Sequence, residues 1–149
     1  CIMGGGPALD ELREMNAKMG LTDYVEFPGR VSDEYLADVL NTADVCVNPD
    51  LPSEMNDKST MNKIMEYMAF GKPIVQFTLK EGKFSAQGAS LYAKNTDTDD
   101  FADKILWLLE NPEKAAEMGR MGRERVVNEL SWDYEKPKLI GAYKKLLGL

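Results

Sequence analysis

Apolar positions along this chain alternate between short continuous runs and longer stretches in which they recur every three or four residues. That alternation predicts an α/β fold, a Rossmann-like, mostly parallel sheet with helices on both faces. Cys1 to Met3 reads as a strand and Gly4-Gly5-Gly6 as a turn, with Pro7 opening a helix where its missing N–H costs nothing. Leu9, Leu12, Met15 and Met19 form an apolar stripe on that helix, and Gly20 ends it. Tyr24 to Phe27 reads as a short strand closed by Pro28-Gly29. Ser32 caps the next helix, with Asp33 and Glu34 in its positive first turn and Leu36, Val39 and Leu40 turned inward.

Val45 to Asn48 reads as a buried strand, and Pro49 to Asp57 as a polar, proline-bearing loop. A helix follows, with Met61, Ile64, Met65 and Met68 at core spacing and Ser59, Asn62, Lys63 and Glu66 on another face. Gly71 stops it, and Ile74 to Phe77 is the next strand. Leu79 to Gly88, with Gly82 inside it, reads as a mobile loop, and Ser90 to Ala93 as the last strand. Thr98 is expected to cap a helix through Leu109, which Asn111-Pro112 interrupts, before a helix from Glu113 to Asn128. After Leu130-Ser131-Trp132 a terminal helix places Ile140, Tyr143, Leu146 and Leu147 on one face. With no internal repeat or low-complexity tract, residues 1–149 read as one domain.

Composition narrows the classes. The chain is 44% hydrophobic and 29% charged, an ordinary globular balance. Its 18 basic and 25 acidic residues leave a net charge of -7, which argues against nucleic acid as a partner. Histidine is absent, so histidine-based acid/base chemistry would have to come from another segment. Cys1 and Cys46 form neither a disulfide framework nor a metal cluster, and Cys46 reads as a core residue. No apolar run is long enough to span a bilayer, and no signal peptide is visible. The start at Cys1-Ile2-Met3-Gly4, inside an expected strand, suggests a fragment of a larger protein.

Candidate chemistry concentrates between Asp57 and Glu66. A helix start built from Ser59, Thr60 and Met61 offers backbone N–H groups and a positive dipole end to an anion such as phosphate. Glu66, further along, suits neutral hydroxyls such as those of a ribose. The same Glu66 is also placed for an intrahelical ion pair with Lys63, and the two readings can coexist. The helix follows a strand through a loop, so its start belongs at the carboxyl edge of the sheet, where ligands of open α/β folds bind. Gly4-Gly5-Gly6-Pro7 is either a tight turn or a phosphate cradle. As a dinucleotide fingerprint it fails, because the third glycine falls at Leu9 and Pro7 lacks an N–H, although Glu26 lies at a suitable distance. Arg30 either reaches a base or phosphate, or is simply exposed.

These segments together resemble the C-terminal half of a retaining glycosyltransferase of family 4 (group 1), the type with two Rossmann-like domains. The resemblance rests on Gly4-Gly5-Gly6-Pro7, on Val25 to Ser32, on Ala43 to Pro49, on Asn62 to Val75 and on Trp132, nearly the whole chain. It implies a nucleotide-sugar donor (UDP-, GDP- or ADP-sugar) and a glycan or lipid-linked acceptor bound by an N-terminal domain. It places Glu66 on the ribose hydroxyls, Ser59, Thr60 and Met61 near the pyrophosphate or sugar with Lys63 toward the phosphates, and Arg30 and Val31 by the base. Transfer would retain the anomeric configuration and require no metal or other cofactor.

Two departures stand out. The position separated by seven residues from the second glutamate, Glu66, and often a glutamate in the family, is Lys58 here, with Asp57 and Glu54 as candidate substitutes. The family's first strand, with basic residues for the diphosphate, is also missing, and bare strand edges would invite self-association. The expectation is a cytoplasmic transferase, peripheral to the inner membrane face in full length, whose isolated 149 residues are inactive. The rivals are a noncatalytic nucleotide-sugar-binding domain and, less favoured, a dinucleotide-binding oxidoreductase domain.

Overall fold

The computed structural model describes residues 1–94 and 96–148. The chain forms two compact units, Cys1–Thr42 and Ala43–Leu149.

In the first unit, helix α1 (Leu9–Lys18) and helix α2 (Asp33–Thr42) alternate along the chain with two extended segments. Cys1 to Met3 and Tyr24 to Phe27 do not become strands of a ladder. They run parallel through one bridge, Met3 to Gly29, with Ile2 N–H donating to Glu26 O (2.8 Å) and Gly4 N–H to Gly29 O (2.7 Å). Pro28, which has no N–H to donate, directly follows the second segment. Helix α1 begins at Leu9, not Pro7, and Gly20 ends it as expected, its N–H donating to Ala17 O at 3.1 Å. The stripe of Leu12, Met15 and Met19 is exposed. Ser32 caps α2 by accepting from Tyr35 N–H at 3.2 Å.

The second unit is built on a parallel sheet of β1 (Cys46–Asn48), β2 (Ile74–Phe77) and β3 (Ser90–Ala93), in that order. The register sets Asn48 beside Gln76 and Gln76 beside Tyr92. Every residue of β2 is buried, as a central parallel strand demands. Alternate residues of a strand face opposite ways. Val75 and Phe77 join Phe101 and Leu108 of α6 (Thr98–Glu110) and Ala115 of α7 (Pro112–Arg125) on one side. Ile74 joins Ile64 and Met68 of α4 (Asn62–Ala69), with Ala86 and Ala89, on the other. Cys46 is buried in the core as expected, and burial pushes its thiol up to about 11.

Four expectations for this unit need correction. The segment Pro49 to Asp57 is not all loop, because Ser53 accepts from Asn56 N–H (3.0 Å) and caps a single-turn helix, α3 (Glu54–Asp57). Leu79 to Gly88 is not a mobile loop. It forms α5 (Lys80–Ala86) and a 3₁₀ turn, anchored by the buried Leu79, Gly82 and Ala86. Asp97, not Thr98, caps α6 by accepting from Asp100 N–H at 2.9 Å. The helix expected from Glu113 to Asn128 starts at Pro112 and ends at Arg125, where a π-helical turn, Val126–Leu130, takes over. The terminal helix α8 (Trp132–Leu147) is exposed along its length, including Ile140, Tyr143, Leu146 and Leu147.

Candidate functional site

Parallel strands that all run one way bring their following loops to one edge. At that edge of the second unit lie the loop after β1, helix α3, the amino end of α4 and the first turn of α5. Helix α4 begins one residue later than expected. Met61 is its N-cap, in an extended conformation, and no side chain caps the helix. Its first N–H groups therefore lack the oxygen that Ser, Thr or Asp supplies at most helix starts. Ser59 and Thr60 precede the helix. The Ser59 hydroxyl donates to Met55 O (2.6 Å), closing α3, and the Thr60 hydroxyl donates to Glu81 Oε2 at 3.1 Å.

The lysines of this edge are each matched with a carboxylate. Lys63 Nζ meets Asp50 Oδ2 at 2.8 Å rather than Glu66, so the intrahelical pair does not form. Lys58 Nζ meets Glu54 Oε1 at 2.6 Å across one turn. Asp57 is held twice by Lys80: Oδ1 accepts the backbone N–H at 2.8 Å, and Oδ2 meets Nζ at 2.7 Å. The side-chain hydrogen bond from Lys80 holds the Asp57 carboxyl below its usual range, and the same bond pushes the Lys80 ammonium up. Both carboxylates that stood as substitutes beside Lys58 are thus engaged by lysines. Glu66 is different. It is exposed on α4, and among the described residues its carboxylate makes no hydrogen bond or ion pair.

Pro52, Ser53, Glu54, Asp57, Thr78 and Lys80 line a cleft of about 460 Å³ here. Beneath the edge, Asn48 and Gln76 are fully buried neighbours across β1 and β2. Gln76 Nε2 donates to Gly82 O at 3.4 Å, and a Cβ on Gly82 would stand 2.3 Å from Gln76 Oε1. Glycine is what lets α5 settle over that amide. The Asn48 side-chain amide has no partner among the described residues.

In the first unit the Gly4–Gly6 turn and Arg30 come together. A Cβ on Gly5 would lie 3.5 Å from Arg30 Cγ, so the arginine stem lies over the turn with its side chain exposed. Val31, the next residue, is half-buried.

Sequence reasoning missed Asp50, Lys80 and Glu81. Asp50 carried a signal, since it lies two residues beyond the end of β1. Lys80 and Glu81 carried none, because they fall in a segment that reads as loop.

This is a parallel α/β fold whose carboxyl edge carries an uncapped helix start and an open glutamate. The chain belongs to the group 1 glycosyl transferases, whose family model matches residues 1–111. It is 30% identical over 142 residues to a GDP-mannose-dependent alpha-(1-6)-phosphatidylinositol monomannoside mannosyltransferase of Mycobacterium tuberculosis, covering 93% of this chain and 37% of that protein. It is also 30% identical over 127 residues to the D-rhamnosyltransferase WbpZ of Pseudomonas aeruginosa, covering 83% of this chain and 32% of that one. Sucrose-phosphate synthase from Thermosynechococcus elongatus shares the fold, with a TM-score of 0.77 at 24% identity over 93% of this chain and 34% of that one. The chain therefore spans about a third of the length of these relatives. Among the described residues no helix is long and apolar enough to cross a membrane.

Proposed function

We propose that residues 1–149 are the nucleotide-sugar-binding part of a glycosyltransferase that moves a sugar, with retention of configuration, onto a glycan or lipid-linked acceptor held by a separate N-terminal domain. The observation that carries the reading is the pairing on α4 of an uncapped amino end with Glu66, whose carboxylate has no partner among the described residues. The helix start suits the pyrophosphate, since free N–H groups and the dipole favour an anion. Glu66 lies one turn further on and suits ribose hydroxyls, which donate to a carboxylate. Ser59, Thr60 and Met61 flank the phosphate end, with Lys63 behind it. For the base, the candidates remain Arg30 and Val31 of the first unit. Lys58 and Asp57 sit at the sugar end.

A GDP-sugar is the first donor to examine, because a mycobacterial relative is named as GDP-mannose-dependent. The donor is a substrate and the reading assigns no metal or cofactor to the site. The location goes with it: cytoplasmic, peripheral to the inner membrane face in full length.

Calorimetric titration with GDP-, UDP- and ADP-sugars, each with and without chelator, tests the reading, with NAD as the competing ligand. One nucleotide sugar is expected to bind, chelator or not, and NAD to bind more weakly. Binding of NAD in preference to every nucleotide sugar would favour the dinucleotide reading instead.

A further inference from the structure

The site depends on where α4 stands, and α4 is only two turns long (Asn62–Ala69). So short a helix has little stability of its own, and its placement is set by what grips it. Its buried stripe, Ile64 and Met68, holds it against the sheet face. At its amino end the Lys63 to Asp50 pair ties it to the loop after β1. What grips the other end is a group of residues on α7.

Helix α4 closes with Gly71 in the left-handed region (φ +66°), which a residue with a Cβ adopts only under strain. Gly71 N–H donates to Met68 O and Lys72 N–H to Tyr67 O, both at 2.9 Å, while Phe70 N–H takes Glu66 O at 3.0 Å. Those bonds use the carbonyls of residues 66 to 68 and leave Ala69 O over. The guanidinium of Arg123, on α7, donates to that oxygen. A cation there also meets the negative end of the helix dipole.

The approach is possible only because α7 is bare at this point. A Cβ on Gly119 would lie 1.9 Å from Gly71 O and 2.8 Å from Gly71 C. A Cβ on Gly122 would lie 3.2 Å from Met68 Cγ. Positions 119, 122 and 123 are three and four apart and share one face of α7. All three bear on the last turn of α4 and its glycine stop.

We propose that Arg123, seated by Gly119, is a positioning residue for the donor site: it clamps the carboxyl end of α4 and thereby sets where Glu66 stands. This rests on the reading of Glu66 as the ribose group. Glu66 precedes Ala69 by three residues, about 4.5 Å along the axis, so a shift at the clamp passes up one rigid turn to the carboxylate. Arg125 serves α5 in the same way, with Nε on Ser85 O (3.0 Å) and Nη2 on Phe84 O (3.1 Å). One stretch of α7 therefore holds the carboxyl ends of both helices whose amino ends border the candidate site.

The test compares affinity for a ribonucleoside diphosphate with that for its 2′-deoxy counterpart, GDP against 2′-deoxy-GDP, with the UDP and ADP pairs alongside. Wild type, E66A, R123A, R123K and the double variant E66A/R123A are titrated, and folding is checked by circular dichroism. Wild type is expected to prefer the ribonucleotide by about tenfold, the size of a hydrogen bond to a charged group. R123A should lose most of that preference, R123K should recover it, and R123A should add nothing in the E66A background. A merely structural role would lower both affinities together and leave their ratio intact. R123M, which keeps the bulk of the stem without a donor, replaces R123A if the latter does not fold, and the same loss of preference is expected. If wild type discriminates and folded R123A or R123M keeps the full ratio, the inference is wrong while the Glu66 reading stands. If wild type shows no ribose preference, the Glu66 reading fails and takes the clamp with it.

Discussion

Lys63 Nζ lies 2.8 Å from Asp50 Oδ2, so the ammonium that sequence spacing sets against Glu66 is committed elsewhere, and the Glu66 carboxylate makes no ion pair among the described residues. The geometry makes Asp50 a competitor that keeps Lys63 from Glu66.

Removing that competitor has a readable consequence. In D50A, Lys63 is released to pair with Glu66 three residues on. The lost pair is partly exposed, so stability measured by urea unfolding should fall by less than about 1 kcal/mol. Nucleotide-sugar affinity should fall as well, because the ribose group is now engaged. An unchanged affinity would show that Lys63 does not turn to Glu66.

Two glycine-to-alanine changes should act in opposite directions. Gly119→Ala sets a methyl 1.9 Å from backbone oxygen Gly71 O, which cannot swing away as a side chain does. The expected cost is at the upper end of the ~1–3 kcal/mol typical of overpacking. Gly141, in the exposed α8, has nothing within 4 Å of its would-be Cβ among the described residues. Gly141→Ala should therefore favour α8 by ~0.5–1 kcal/mol through helix propensity. Denaturant midpoints for the pair check both signs, with helical circular dichroism following α8.

The Asp57–Lys80 pair should leave a mark on the pH dependence of stability. The Asp57 carboxyl is depressed by the Lys80 bond, so its contribution is present above the ordinary 3.8 and is lost as pH falls through the lower folded value. The Lys80 ammonium is raised, so its contribution is present below 10.5 and is lost as pH rises through the higher folded value. The gap in melting temperature between wild type and D57N should hold steady across the range between and close at both extremes. A gap that widened in acid would contradict the pairing.

Strands β2 and β3 and the face of α4 were legible in the sequence because each is governed by a local pattern: continuous apolar runs bounded by Lys72-Pro73 and Gly88, or methionines at helical spacing. Helix α5 was not. Its anchors are Leu79, Gly82 and Ala86, and Gly82 reads as a breaker until the sheet brings Gln76 beneath it. The extended segments at Met3 and Phe27 have strand-like composition, but whether they form a ladder is decided by pairing, which a single sequence does not state. At the site, the helix start and Glu66 were visible from residue type and spacing. The partner of Lys63 was not, because Asp50 is thirteen residues away and reaches it only through the β1 turn. Arg123 was invisible for the same reason, its acceptor Ala69 O lying fifty-four residues back.

The most direct test is titration of wild type and E66A with the nucleotide sugar that binds best, with melting temperatures taken on the same samples. Glu66 is exposed and makes no internal bond among the described residues, so its loss should change stability, followed through the melting temperature, by no more than the about ±0.5 kcal/mol of ordinary surface changes. Affinity should fall by about tenfold or more, as expected when a charged hydrogen-bond acceptor is removed. Equal affinity in the two proteins would contradict the assignment of this edge as a nucleotide-sugar site built on Glu66.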